Sequence, residues 1–386
     1  MLLIVYGSLY PWRFAVPHLA ADPVMVLLHS WPSLGLRYSL RDIVVNVLLY
    51  MPLGFAAHLA FRKSAWTGLG IYGPVLLGLL LSTSMELLQL LEPARNTSMV
   101  DLLTNVIGSG LGVFLGLLFE AVPHTRGLEL EVADRAALML TFCWIAWLFF
   151  PLFPALTTHS LAFKVRAFTE SSPFDVRGVI SATASWYAAG LLLSAAGMPF
   201  SRRAARAAFA ATLLAIPAQF LIVDKQPTES LLAGAIFGVV LFLVLHRAHS
   251  RKGVVRGYNS RLGARPLAIE AWAFLTVIVL RGLAPFHFSH DATPFGWTPL
   301  GATLDSEWQT GGAILLEKIL YYGTGIWLLH SAGIGRARAT MTVVVVLSAI
   351  EFVQIHLPGR TPESTDPLLA LLLGVVLAGL MPVRRA

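Results

Sequence analysis

Charge and cysteine are what this sequence has least of. Only 13% of its 386 residues are Asp, Glu, Lys or Arg, while 56% are hydrophobic, and the mean hydropathy is +0.71. That balance excludes an ordinary soluble domain. Cys143 is the single cysteine, so an intrachain disulfide, a CxxC pair and a cysteine metal site are excluded. A Walker loop, a dinucleotide fingerprint in strand-turn-helix context and a GxSxG elbow are also missing, which argues against ATP-driven transport by this chain alone. The HFSHD stretch offers His287, His290 and Asp291 but no third firm ligand, and neither a metal nor a cofactor is expected. The opening MLLIVYGSLYPWRF lacks a basic n-region and a small-residue cleavage pattern, so it reads as a retained, short first span.

What the chain has is apolar runs of about 20 residues, the length that crosses hydrocarbon. They fall at about 1–12, 42–61, 69–91, 100–120, 135–154, 178–198, 206–223, 229–247, 267–286, 311–330, 338–356 and 367–383. Twelve spans are therefore expected. Basic residues cluster on one side of them: Arg62 and Lys63, Arg126 and Arg135, Arg202, Arg203 and Arg206, then Arg247, Arg251, Lys252, Arg256, Arg261 and Arg265 in the 246–266 loop, Arg336 and Arg338, and Arg384 and Arg385. The positive-inside rule places those loops and both termini in the cytoplasm of a multi-pass inner-membrane protein. The net charge of +7 is thus assigned to topology and anionic lipid, and nucleic acid is not an expected partner.

One stretch breaks the apolar pattern. MELLQLLEPARNTSMVDLLTNVIG, residues 85–108, places Glu86, Gln89, Arg95, Ser98, Asp101 and Asn105 between greasy helices. Shifted by 265 residues, Glu86, Gln89, Arg95 and Asp101 fall on Glu351, Gln354, Arg360 and Asp366. Shifted by 130, Gln89, Arg95 and Ser98 fall on Gln219, Lys225 and Thr228, while Glu86 and Asp101 fall on Ile216 and Leu231. Each copy follows an aromatic, proline-rich exit: SLYPWRF, LFFPLFP and LAPFHF. The expected architecture is an all-α transmembrane bundle of three four-helix units at 1–120, 121–250 and 251–386, the middle one degenerate.

Asp42 with Asn46, Glu86 with Gln89, and Asp101 with Asn105 are spaced three or four apart, so each pair shares a helix face. All lie near the outer ends of their helices, with Arg41 and Arg95 beside them. A carboxylate at a helix centre costs roughly 2.5–3.5 kcal/mol on insertion scales, so such groups pair or face a cavity. Two readings stand. In one, Arg95 neutralises Glu86 and Asp101 and Ser98 caps the next helix. In the other, the cluster is an outward pocket for an anionic or glycan-like headgroup, Arg95 binding the anion through two parallel hydrogen bonds. Paired carboxylates could also act as acid and base if burial and mutual repulsion separate their pKa values. Glu317, beside Lys318 and followed by Tyr321 and Tyr322, is a further polar insertion, and it matches Asn46 when ILYYGTG is set on LLYMPLG.

The set RDIVVNVLLYMPLGF and SMELLQLLEPARNTSMVDLLTNVIGSGLG, over about 38–119, resembles the VanZ-like membrane protein family. About 311–380 looks like a diverged second copy, with Glu363 at the serine position and Ala370 at the asparagine position. The resemblance implies a bacterial envelope protein, linked by the family's name to low-level teicoplanin resistance and by association to exopolysaccharide systems. The expected role is handling of an envelope lipid-linked glycan or amphiphile, with membrane lipids and an envelope complex as partners. A secondary transporter or flippase, an intramembrane enzyme and a non-catalytic complex subunit are the alternatives. A transport path requires polar groups towards the cytoplasmic side, where His58 and His330 are the main ones.

Overall fold

Long apolar runs satisfy their backbone hydrogen bonds internally when they fold as helices, the arrangement that hydrocarbon surroundings demand. The structure, a computed structural model, describes residues 1–10, 12–15, 22–31, 40–62, 66, 68–93, 96–121, 134–151, 158–169, 174–196, 212–223, 225–251 and 264–381. Among these are fifteen α-helices and no strand. Arg95, Lys63, Arg126, Arg202, Arg203, Arg206, Lys252, Arg256, Arg261, Arg384 and Arg385 lie outside the described residues, as do the side chains of Arg41, Arg247, Arg251 and Arg265.

Contacts divide the chain into two compact units, Met1–Glu129 and Leu130–Ala386. The first contains α1 (Leu2–Leu9), α2 (Pro23–Leu28), α3 (Leu40–Phe61), α4 (Leu69–Gln89) and α5 (Met99–Ala121). The second contains α6 (Arg135–Phe149), α7 (Thr158–Thr169), α8 (Val176–Ala195), α9 (Ala215–Ala218), α10 (Glu229–Arg251), α11 (Ala264–Leu283), α12 (Gly301–Asp305), α13 (Trp308–Ser331), α14 (Arg336–Gln354) and α15 (Thr365–Leu380).

Five helical stretches among the described residues are long and apolar enough to cross a membrane: Asp42–Phe61, Leu69–Gln89, Met99–Leu117, Val176–Ala195 and Arg336–Gln354. Three shorter ones, Arg135–Phe149, Glu229–Leu245 and Thr365–Leu380, are apolar. This differs from twelve uniform spans in three places. The stretch at 1–12 yields a helix of eight residues. The stretch at 206–223 contains, where described, only the four residues of α9 between two 3-10 turns. Pro217 lies inside α9 and has no N–H to donate, which disfavours a continuous α-helix there. The third departure is α13, whose embedded charges Glu317 and Lys318 lower its hydropathy.

Small residues set the packing, because lipid gives helices little hydrophobic reason to associate. In the first unit α3 and α5 meet backbone to backbone. A Cβ on Gly108 would lie 2.4 Å from Val47 O, and one on Gly112 would lie 2.1 Å from Met51 O. In the second unit Gly234 and Gly238 bring α10 onto α8 in the same way, at 2.6 Å from Val179 O and 2.7 Å from Thr183 O. The core of that unit centres on Trp144 and Trp186, edge to face at 5.1 Å.

Candidate functional site

The first unit shows what the polar residues of the 85–108 stretch do. Glu86, 3% exposed near the end of α4, accepts the Ser98 N–H at 2.8 Å. The Ser98 hydroxyl then caps α5 by accepting Asp101 N–H at 3.2 Å. Gln89 reaches back to α1 and donates to Ser8 O at 2.9 Å. Asp101 and Asn105 face different neighbours: Asp101 interacts with Asn46 and Asp42 of α3, whereas Asn105 donates to Ser82 Oγ of α4 at 3.0 Å. Asp42 is exposed, Asn46 and Asp101 half-buried and Asn105 buried, so this cluster spreads across a three-helix seam. Where Arg95 reaches is outside the described residues.

The second unit repeats several of these bonds at the offset positions. Glu351 Oε2 accepts Glu363 N–H at 2.8 Å, twelve residues on, as Glu86 accepts Ser98 N–H. Gln354 donates to Gly282 O at 2.9 Å, and Gln219 to Leu148 O at 3.1 Å. Ser8, Leu148 and Gly282 each stand three residues before the exit proline, Pro11, Pro151 or Pro285. Four residues after it, Ala15 N–H meets Leu91 O at 2.7 Å and Ser289 N–H meets His356 O at 2.8 Å. The cap recurs too, Leu231 N–H donating to Thr228 Oγ1 at 3.1 Å. The glutamine therefore ties its own segment to the end of an earlier helix. Gln219→Leu is expected to lower stability by about 1–3 kcal/mol, because a buried carbonyl loses its donor; the thermal midpoint in detergent reads this, and an unchanged midpoint means Leu148 O has found another partner.

The basic position behaves alike where it is described. Arg360 donates to Ala284 O through Nε at 2.8 Å and NH2 at 2.6 Å, and to Arg281 O through NH2 at 2.9 Å. Lys225 donates to Trp147 O at 3.0 Å. Trp147 and Arg281 each stand four residues before their proline. Burial pushes the Lys225 ammonium below its usual range, with the Glu317 charge acting in the opposite sense. At both positions the cation binds helix-end carbonyls, and the carboxylates Glu363 and Asp366 take their cation from elsewhere.

That other cation is Lys318. Its Nζ lies 2.6 Å from Asp366 Oδ1 and 4.0 Å from Glu363 Oε1. Tyr322 donates its phenol proton to Asp366 Oδ2 at 2.5 Å, and Glu363 Oε2 accepts Ala302 N–H at 3.3 Å. Glu351, Glu363 and Asp366 are all less than 8% exposed. A cavity of about 320 Å3 opens beside them, lined by Arg281, Glu317, Lys318, Tyr322, Glu351, Gln354, Arg360 and Asp366 among others. That volume lies at the lower end for small-molecule sites. All five residues expected in this segment, Glu317, Glu351, Gln354, Arg360 and Asp366, line it. Arg281, which pairs with Glu317 at 2.8 Å, and Lys318 were missed as site residues. The available signal was an arginine inside an apolar run, four residues before a proline. Among the described residues no group of three or more His, Cys, Asp or Glu is arranged to hold a metal ion.

Apolar helices of spanning length enclosing buried, hydrogen-bonded ionic groups define an all-helical membrane protein. Residues 1–120 match the VanZ/LLP1 family, and this part of the chain is VanZ-like. No curated protein and no solved structure matches the chain.

Proposed function

We propose that this chain recognises an envelope lipid-linked glycan or related amphiphile at the outer face of the bacterial inner membrane, and that the polar cavity beside α13, α14 and α15 holds the headgroup. One observation carries the reading: Glu317, Glu351 and Asp366 converge with Arg281, Lys318 and Arg360 on open space, instead of closing into a filled ion network. Hydroxyl-rich groups suit such a lining, since carboxylates accept from sugar hydroxyls while the cations balance charge. The link to teicoplanin tolerance and to exopolysaccharide or envelope complexes follows from the family resemblance. The outward facing of the motif loops and the cytoplasmic termini follow from the basic loops.

We also infer three related units. The support is the shared register of the glutamine bonds to Ser8, Leu148 and Gly282, and the helix order, in which α2, α7 and α12 are each the second of five helices. On this view the first unit's cluster, with Arg41 and Arg95, is a second headgroup site. Identification by mass spectrometry of the amphiphiles that co-purify with the protein tests the proposal. The wild type is expected to retain a glycan-bearing species that Asp366→Asn loses; identical lipid profiles in the two proteins would sink it.

A further inference from the structure

The polar cavity shares a wall with a second one. This second cavity, about 560 Å3, is lined by Trp147, Phe168 and Phe174 together with Lys164, Asp175 and Glu229 among others. Arg281, Glu317 and Tyr321 line both cavities. The wall is therefore an ion pair backed by an aromatic ring.

Arg281 is held by more than its carboxylate. NH1 donates to the Tyr321 hydroxyl at 3.3 Å, and the guanidinium carbon lies 4.3 Å from the Tyr321 ring centroid. The Tyr321 hydroxyl is itself anchored on Ser181 O at 2.8 Å. The guanidinium thus keeps its position if Glu317 turns away, whereas Glu317 can release only by giving up the pair. An anion that enters meets a fixed fork able to form two parallel hydrogen bonds.

We propose that Arg281 binds the phosphate of a phosphodiester that displaces Glu317, with one substituent in each cavity. This rests on the reading of the polar cavity as a headgroup site and names the group at its inner wall. The position of the pair argues for a diester. A carboxylate ends its molecule and reaches into one compartment, but a phosphodiester carries a charge between two substituents. The hydroxylated substituent faces Lys318, Glu351 and Asp366, and the apolar one follows the aromatic wall of Trp147, Phe168 and Phe174, one side of a cavity that Lys164, Asp175 and Glu229 also line. A membrane phospholipid and a soluble phosphodiester share this chemistry.

The test is binding of short-chain phosphatidylglycerol, its deacylated headgroup glycerophosphoglycerol, and decanoate to the full chain in detergent, read by native mass spectrometry. Phosphatidylglycerol is expected to bind better than decanoate. Glu317→Gln is expected to bind it at least about tenfold more tightly, the scale of one charge-assisted hydrogen bond. That gain cannot come from misfolding. Arg281→Lys, checked for an unchanged melting profile, is expected to weaken it by a similar factor. Equal binding of the headgroup alone keeps the phosphate on Arg281 but overturns the apolar substituent in the second cavity; binding only with acyl chains supports both and identifies a lipid. Unchanged affinity in Glu317→Gln, with binding still lost in Asp366→Asn, overturns the role of Arg281 and leaves the headgroup reading standing. No binding of any probe by wild type or Glu317→Gln overturns the diester proposal, and decanoate binding as well as the diester overturns the phosphate assignment.

Discussion

Arg360→Ala is expected to destabilise the unit that contains it by about 3–5 kcal/mol, since charge-assisted hydrogen bonds contribute roughly 1.5–3 kcal/mol each and these do not add fully. The side chain holds Arg281 O and Ala284 O at the end of α11, where helix carbonyls lack intrahelical partners. Without it α11 loses its tie to the loop after α14, and Gln354 remains as a single bond to Gly282 O. Arg360→Lys should restore part of the loss. Lys225 shows why: an ammonium at the matching position reaches one carbonyl, Trp147 O, where the guanidinium reaches two. Thermal unfolding in detergent would rank the three proteins as wild type, lysine, alanine. An alanine variant as stable as wild type would remove the helix-end role assigned to this arginine.

Gly54→Ala should be comparably damaging in the first unit. Its new Cβ would stand 2.0 Å from Ser109 O, a backbone atom that no rotamer change can move. Ser109 is pinned on the other side as well, because its hydroxyl would lie 2.1 Å from a Cβ on Gly78. Helices α3, α4 and α5 therefore meet at Ser109 with no slack. Overpacking of this kind costs about 1–3 kcal/mol and occasionally more, and here the upper end applies. The readout is the yield of folded monomer by size-exclusion chromatography. Gly110→Ala is the control, since a Cβ there meets nothing within 4 Å. Equal yields from the two variants would mean that α3 and α5 do not meet this closely.

The helical, membrane-spanning class was legible in the sequence, and so were some local contacts, for particular reasons. The 265-residue offset sets Glu86 on Glu351 and Gln89 on Gln354, and the two members of each pair make bonds of the same kind. The cap at Ser98 was readable because the capping residue and its helix are neighbours in the chain. The direction of the arginine was not. Residue type indicates a guanidinium fork, but carbonyls and carboxylates both accept from it, and only the fold brings Arg281 O and Ala284 O within reach of Arg360. Lys318 as partner of Asp366 was hidden for a similar reason, since 48 positions separate them. The segment at 206–223 looked like a span because composition registers its apolar residues and not the effect of Pro217 on the helix.

The most direct test of the central claim is equilibrium binding by the nanodisc-embedded full chain against a panel of lipid-linked glycan precursors, phospholipids and teicoplanin, with wild type compared to Asp366→Asn and Arg95→Ala. The account predicts saturable binding of a glycan-bearing member of the panel, lost in Asp366→Asn while that variant keeps its helical content and melting profile. Saturable binding that both variants retain unchanged, or no saturable binding of any member, would contradict it.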